Sequence, residues 1–139
     1  MIGLDTNVLA RYFVEESDAD AAALAQREAA RRLIESGETL FIPTTVLLEL
    51  EWVLWGYCQF SREQVSLVFE VLLQLPAVQH ENGAVLEQAH AGHRAGLGFA
   101  DALHHAGCRD CHSMASFEQR SLARPPRQLN LQPRVIIPG

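Results

Sequence analysis

The sequence predicts an α/β fold: a three-layer sandwich in which helices flank a short, mainly parallel sheet. Short apolar runs alternate with longer amphipathic segments, in the order strand, helices, strand, helices, strand, helices, strand. Such alternation is typical of parallel sheets that are covered by helices. The chain has 139 residues, of which 48% are hydrophobic and 20% charged. This length and composition predict a single globular domain over residues 1–139.

The first half of the chain supplies two predicted strands and three predicted helices. "MIGL" is predicted as a short buried strand, and "DTNVLARYFV" as its turn and a helix capped by Asp5 or Thr6. "DADAAALAQREAARRLIESG" is an Ala-rich amphipathic helix that ends just before Gly37. "TLFI" is the second strand, stopped by Pro43, and "TTVLLELEWVLWGY" is a helix capped by Thr44 or Thr45.

The second half continues the alternation. "SREQVSLVFEVLLQL" is a helix capped by Ser61 and stopped by Pro76, and "AVQH" is a candidate strand. Two helices follow, "NGAVLEQAHAGHRAG" and "FADALHHAG", separated by "LG". "HSMAS" is a candidate strand, "FEQRSLA" a short helix and "RVIIP" a candidate last strand.

Charge and apolar content exclude several classes of protein. The formal net charge of −6 disfavours a general nucleic-acid clamp with a broad basic face. All 11 basic residues are arginines, which suit phosphate contacts but do not decide the function. Neither a signal peptide nor a membrane span is recognisable, so the expected location is the cytoplasm. Three cysteines do not make a disulfide scaffold.

Four acidic residues fall at the ends of predicted strands or in apolar surroundings: Asp5, Glu49, Asp101 and Glu118. In a parallel α/β sheet, ligands bind beyond the carboxyl ends of the strands, where these acids would gather. A carboxylate among apolar neighbours, such as Glu49, normally needs a partner or a metal. For each acid alone a structural role is equally open, because Asp5 also fits a helix N-cap and Asp101 fits the first turn of a helix.

Four motifs carry a family resemblance. "MIGLDTNVLARYF", "PTTVLLELEWVL", "GFADAL" and "MASFEQR" together resemble the PIN domain, and most of all its toxin branch, the VapC-type ribonucleases. The resemblance implies an acid cluster that binds Mg²⁺ or Mn²⁺ and cuts RNA, with a cognate antitoxin and homodimers. By position it implies Asp5, Glu49 rather than Glu51, Asp101 and Glu118 as the acids.

The sequence departs from the family pattern at two places. The last motif usually reads Thr-Phe-Asp, and here it reads Ser116-Phe117-Glu118. Many members carry a further acid three residues before Asp101, where this chain has Gly98. Mg²⁺ demands near-ideal octahedral geometry, so a weaker site, or a site for one metal, is expected.

The chemistry implied is hydrolysis of an RNA phosphodiester by a metal-activated water. Oxygen ligands favour a hard ion such as Mg²⁺ or Mn²⁺. Asp5, Glu49 and Asp101 would hold the metal, and Glu118 would orient it, a second ion or the water. Candidates for hydrogen bonds to these acids or to substrate are Thr6, Asn7, Ser116 and His104. Together with this chemistry, the family resemblance implies an endoribonuclease that is the toxin of a type II toxin–antitoxin system.

Two alternatives remain open from the sequence. One is a PIN-like domain that binds RNA or a partner but cleaves weakly or not at all. The other is a zinc or redox α/β module built on "CRDCH", which contains Cys108, Cys111 and His112. Zinc would need a fourth ligand, such as His104 or His105. The same spacing matches a c-type haem attachment, but that motif calls for a secreted chain and a distal axial ligand, and here it lies between a predicted helix and a predicted strand.

Overall fold

A computed structural model describes residues 1–118, 122 and 131–139. It divides into two compact units, residues 1–81 and residues 82–139, which are taken separately below. The predicted α/β class is confirmed: the described residues form six α-helices and short strands that pair in parallel. The strands fall into two sheets, one in each unit, rather than one. A single domain over residues 1–139 stays a prediction.

The first unit contains a three-stranded parallel sheet. Its strands are β1 (Ile2–Gly3), β2 (Leu40–Ile42) and β3 (Val78–His80), with β2 in the centre. Ile2 lies opposite Leu40, and Leu40 lies opposite Val78. The prediction that "MIGL" is buried is wrong for β1, whose two residues are exposed. Since β1 is an edge strand, burial begins only at Leu4, which follows it.

Four α-helices complete the first unit: α1 (Thr6–Phe13), α2 (Ala21–Ile34), α3 (Thr44–Trp52) and α4 (Arg62–Gln74). Asp5 is confirmed as the N-cap of α1, and Ser61 forms a capping box with Gln64 at the start of α4. Gly37 follows α2 with φ +85°, a conformation that suits glycine.

The cap predicted for α3 is wrong. Thr44 and Thr45 are already helical, and Pro43 occupies the N-cap position without a side-chain hydrogen bond. The Pro43 carbonyl accepts hydrogen bonds from Val46 N–H (3.1 Å) and Leu47 N–H (3.3 Å). Because this carbonyl starts the helical ladder, the chain enters the helix one residue earlier than the threonines suggest.

A π-helical turn, Val53–Tyr57, replaces the last part of the long helix predicted from "TTVLLELEWVLWGY". It closes with a hydrogen bond from Cys58 N–H to the Val53 carbonyl (2.9 Å). The wider turn keeps Leu54 fully buried, while Trp52 and Trp55 are 69% and 55% exposed. These tryptophans are therefore not core residues.

The hydrophobic core of the first unit lies between this sheet and its helices. The helix α4 contributes Val65, Phe69 and Leu72, all at most 1% exposed and spaced so that they share one face. Leu40 and Ile42 contribute from the central strand, and both are fully buried.

The second unit contains two α-helices and two strands: α5 (Gly83–Arg94), α6 (Phe99–Gly107), β4 (Ser113–Ala115) and β5 (Arg134–Ile136). The strands pair in parallel, with Met114 opposite Val135. A Cβ on Gly92 would lie 3.2 Å from Leu97 Cδ1 and 3.3 Å from Ala102 Cβ, so glycine lets α5 approach α6 closely. His105 Nε2 lies 2.7 Å from the Pro133 carbonyl and ties α6 to the segment that precedes β5.

Two further predictions concern the last predicted helix and the possibility of a membrane span. The helix predicted from "FEQRSLA" lies outside the described residues, apart from Phe117, Glu118 and Leu122. Within the described part of the chain, each helix is too short or too polar to cross a lipid bilayer.

We expect the half-buried imidazole of His80 to make folding pH-dependent. Burial lowers the pKa of His80, partly offset by its contact with the Leu72 carbonyl (3.2 Å). Below about pH 6.5, the ordinary histidine pKa, the unfolded chain binds a proton that the folded chain resists, so the free energy of unfolding falls as the pH falls.

The variant His80→Gln should remove this component. The stability advantage of wild type over the variant should shrink between pH 7 and pH 5, by at most about 1.4 kcal/mol per pH unit. Urea denaturation across this range measures the advantage, and the range above pH 7.5, where imidazole is neutral in both states, is the internal control. Parallel pH profiles for the two proteins would contradict the assignment.

Candidate functional site

A groove of about 400 Å³ in the first unit brings together side chains from α1, α3 and the π-helical turn. Two of the predicted acids, Asp5 and Glu49, line it. They are 44 positions apart in the sequence and lie on different helical segments, and α1 and α3 contact each other. The acids of the first two motifs, Asp5 and Glu49, therefore lie on one surface of the first unit.

Asp5 serves as both a cap and a lining residue. Leu4 N–H bonds to the Phe41 carbonyl (2.8 Å), so the chain leaves the sheet immediately before Asp5. Asp5 has an extended backbone, and its Oδ1 accepts a hydrogen bond from Thr6 N–H (2.8 Å). This bond orients an exposed carboxylate at the positive end of the α1 dipole.

The two glutamates of α3, Glu49 and Glu51, lie in different surroundings. Glu49 is exposed and faces the groove, between the buried Leu47 and Leu50. Glu51 is half-buried, and burial raises its pKa, an effect that the Arg62 charge partly offsets. The choice of Glu49 over Glu51 therefore agrees with the exposure of the two side chains.

Thr6 and Asn7 line the same groove, as their place beside Asp5 suggests. Thr6 is only 5% exposed, and its Oγ1 has no hydrogen-bond partner among the described residues. A buried hydroxyl without a partner costs about 1–3 kcal/mol. An orphaned oxygen beside a carboxylate favours a site that is completed by a bound ion or water.

Two further charged residues line the groove, and neither is among the predicted catalytic or metal-binding residues. Arg11 lies one helical turn after Asn7, and Glu16 follows α1. Arg11 Nη1 lies 3.5 Å from Glu16 Oε1, and Arg11 Nε donates to Gln26 Oε1 (3.0 Å). Helical periodicity puts Arg11 on the same face of α1 as Asn7, whereas Glu16 lies in a loop, where no such periodicity applies.

The π-helical turn supplies the far wall of the groove. Tyr57 is 82% exposed, and Val53 and Cys58 line the groove beside it. Burial raises the pKa of the Cys58 thiol, and the nearby Glu16 charge adds to this. Cys58 therefore stays a thiol at neutral pH, and the groove gains no thiolate.

The remaining predicted site residues lie in the second unit. Asp101 is in the first turn of α6, and His104 is exposed one turn later. Glu118 is exposed after β4, and its N–H donates to Ser116 Oγ (3.0 Å). The role of these four residues in a shared site stays a prediction.

The chemistry of the donors fits a hard divalent cation. Mg²⁺ is commonly held by one or two carboxylates and keeps several waters. Asp5 and Glu49 supply two carboxylates from separate elements, and the Thr6 hydroxyl adds a further oxygen. In the described ranges no group of three or more His, Cys, Asp and Glu side chains is arranged to hold a metal ion. The groove thus offers a two-carboxylate site.

Comparison with known proteins gives one match. The family model of the PIN domain matches residues 2–110. The match includes Asp5, Glu49 and Asp101 and ends before Glu118. No curated protein and no solved structure matches the chain.

The matched region is most of the chain, and it contains both carboxylates of the groove. PIN domains are generally nucleases that use divalent metal ions. The family match and the fold agree, and we conclude that this chain belongs to the PIN domain family.

Proposed function

We propose that this protein is a Mg²⁺- or Mn²⁺-dependent endoribonuclease and the toxin of a type II toxin–antitoxin system. The single observation that carries the nuclease proposal is the shared groove of Asp5 and Glu49 in a PIN domain. The toxin role, the antitoxin partner and the homodimer rest on the resemblance of the four motifs to the VapC-type branch. A cytoplasmic location is proposed as well.

Asp5 and Glu49 would hold the metal. The hydrogen bond from Thr6 N–H already fixes the orientation of the Asp5 carboxylate, so little side-chain entropy is lost on binding. When bound, Mg²⁺ supplies an activated water and offsets the charge that builds on the phosphate. The Thr6 hydroxyl, buried without a hydrogen-bond partner among the described residues, would donate to a carboxylate or to a water at this site.

Arg11 and Tyr57 would receive the RNA. The Arg11 guanidinium is paired with Glu16 at the surface, and such exposed pairs are worth only about 0–1 kcal/mol. A phosphate can therefore replace Glu16 at low cost and accept a charge-assisted hydrogen bond. The exposed Tyr57 ring offers a stacking surface to an unpaired base.

Asp101 and Glu118 are proposed as the third and fourth acids on the pattern of the family motifs. Asp101 lies inside the matched region, whereas Glu118 lies beyond it. Ser116 would orient the loop through its bond to Glu118 N–H, and His104 would border the site.

The variant Glu49→Gln should lose RNA cleavage. It keeps the shape of the side chain and removes one ligand charge, so the rate should fall by about 100-fold or more, the scale seen when one electrostatic group of an active site is removed. Cleavage of a panel of structured RNAs in Mg²⁺ measures the loss, and excess chelator should stop the wild-type reaction.

The matched control is Glu51→Gln, two positions along the same helix. It changes the same residue type outside the groove and should retain cleavage within about threefold, well short of the loss expected at a ligand position. Equal losses for both variants, or full wild-type cleavage in excess chelator, would contradict the proposed site.

A second prediction concerns Gly98, the position where many family members carry an acid. Gly98 is the N-cap of α6 at φ −59°, and it makes no side-chain cap bond. A Cβ there would lie 3.7 Å from Asp101 Oδ2, an ordinary contact. Gly98→Asn and Gly98→Asp should both fold and cap α6, with a gain of a few tenths of a kcal/mol, since glycine is itself a tolerated cap.

Charge should then separate the two variants. Without metal, Gly98→Asp should unfold at a lower temperature than Gly98→Asn, because its carboxylate repels Asp101. Added Mg²⁺ should raise the unfolding temperature of Gly98→Asp more than that of Gly98→Asn, because binding to the folded state stabilises it. An identical Mg²⁺ shift for both variants would exclude Asp101 from a metal site.

A further inference from the structure

The turn after α6 holds a pair of cysteines that the nuclease proposal does not use. Cys108 is the C-cap of α6, and its carbonyl accepts a hydrogen bond from Cys111 N–H (2.8 Å). This bond joins the first and fourth residues of the segment and defines a β-turn. Both cysteines are reduced, with Cys108 partly exposed and Cys111 exposed.

The turn brings the two thiols together. The Cys111 thiol lies close enough to Cys108 to help raise the pKa of the Cys108 thiol, although burial contributes more. In a β-turn the first and fourth Cα atoms lie less than about 7 Å apart, and disulfides span about 4.4–6.8 Å between Cα atoms. A bridge therefore needs rotation of the side chains and little movement of the backbone.

We propose that Cys108 and Cys111 form an intramolecular disulfide when the protein meets a low-molecular-weight disulfide such as oxidised glutathione. The pair is a site of reversible covalent modification. The bridge would close the turn that follows α6, the helix that carries Asp101.

The local electrostatics make this pair slow to react and unsuited to catalysis. Reactive Cys-X-X-Cys pairs sit at the positive N-terminus of a helix, which stabilises a thiolate. Cys108 sits at the C-terminus of α6, the negative end of the dipole. Burial raises the pKa of Cys108, and Cys111 raises it further.

The same electrostatics favour the disulfide once it has formed. A thiol with a raised pKa is a poor leaving group, so reduction of the bridge is slow. The pair is therefore expected to form slowly and to persist.

The reaction begins at the more exposed thiol. Cys111 loses its proton to solvent, and its thiolate attacks one sulfur of oxidised glutathione, which releases one glutathione thiolate. The Cys108 thiolate then attacks Cys111 Sγ in the mixed disulfide and releases the second glutathione. Two protein thiols are oxidised, one disulfide is reduced, and two glutathione molecules leave.

A zinc site is the competing interpretation of the same residues. It needs four ligands, three of which could be Cys108, Cys111 and His112. Across the residues that the structure describes, no three such side chains are arranged to hold a metal ion. The β-turn that closes from Cys108 to Cys111 instead favours a bond between the two sulfurs.

The test is a thiol count by mass spectrometry. The full chain is incubated with oxidised glutathione at pH 8, quenched with N-ethylmaleimide and digested. The peptide that contains Cys108 and Cys111 should lose two hydrogen atoms and carry neither label, while Cys58 remains outside the bridge.

Cys58→Ser is the matched control and should form the same bridge. The rate should rise by up to about tenfold from pH 7 to pH 8, as the thiolate fraction does.

Three results would overturn the proposal. Separate glutathione adducts on both cysteines after long incubation would show that the thiols cannot meet. Disulfide-linked dimers that Cys111→Ser abolishes would show that the bond forms between chains. Stoichiometric zinc bound to the purified wild-type protein, lost in both Cys108→Ser and Cys111→Ser, would assign the pair to a metal.

Discussion

The parallel pairing of β1 with β2 determines where the acidic groove lies. Ile2 N–H bonds to the Thr39 carbonyl (2.9 Å), and Leu4 N–H bonds to the Phe41 carbonyl (2.8 Å). In this register the strands β1 and β2 end at the same edge of the sheet, β1 just before Asp5 and β2 just before Pro43. The helices α1 and α3 therefore start side by side. Glu49 lies five residues into α3, about 7.5 Å along its axis, and still reaches the surface that Asp5 lines.

Asp5 belongs both to the fold and to the proposed metal site. Asp5 is the N-cap of α1, and its Oδ1 accepts a hydrogen bond from the N–H of the first helical residue, Thr6. Next to it, the buried Thr6 hydroxyl has no bond to any described residue, an arrangement that opposes stability. A hydrogen-bonded carboxylate beside a hydroxyl without a partner is typical of a site whose remaining hydrogen-bond partners come from solvent, an ion or substrate.

The sequence predicted the parts of the fold that depend on local chemistry. The caps at Asp5 and Ser61 and the described strands follow from short patterns of side-chain type, and the structure confirms them. The predicted cap of α3 was wrong because Pro43 is the N-cap, and it offers the helix a carbonyl oxygen rather than a side chain. The π-helical turn was missed because it shifts the hydrogen bonds by one residue, which helical periodicity does not reveal. Tyr57 was not recognised as a neighbour of the acids, because its proximity depends on how that turn packs. The place of Asp101 and Glu118 in the site still rests on motif resemblance.

The central claim is that Asp5 and Glu49 bind one divalent ion together. The most direct measurement is a double-mutant cycle on Mn²⁺ affinity by titration calorimetry, with Asp5→Asn, Glu49→Gln and the double variant. If both carboxylates hold one ion, the double variant should lose less affinity than the sum of the single losses, with a coupling of about 1 kcal/mol or more. Additive losses within about 0.5 kcal/mol, or an affinity that neither single variant changes, would show that the two acids do not share an ion.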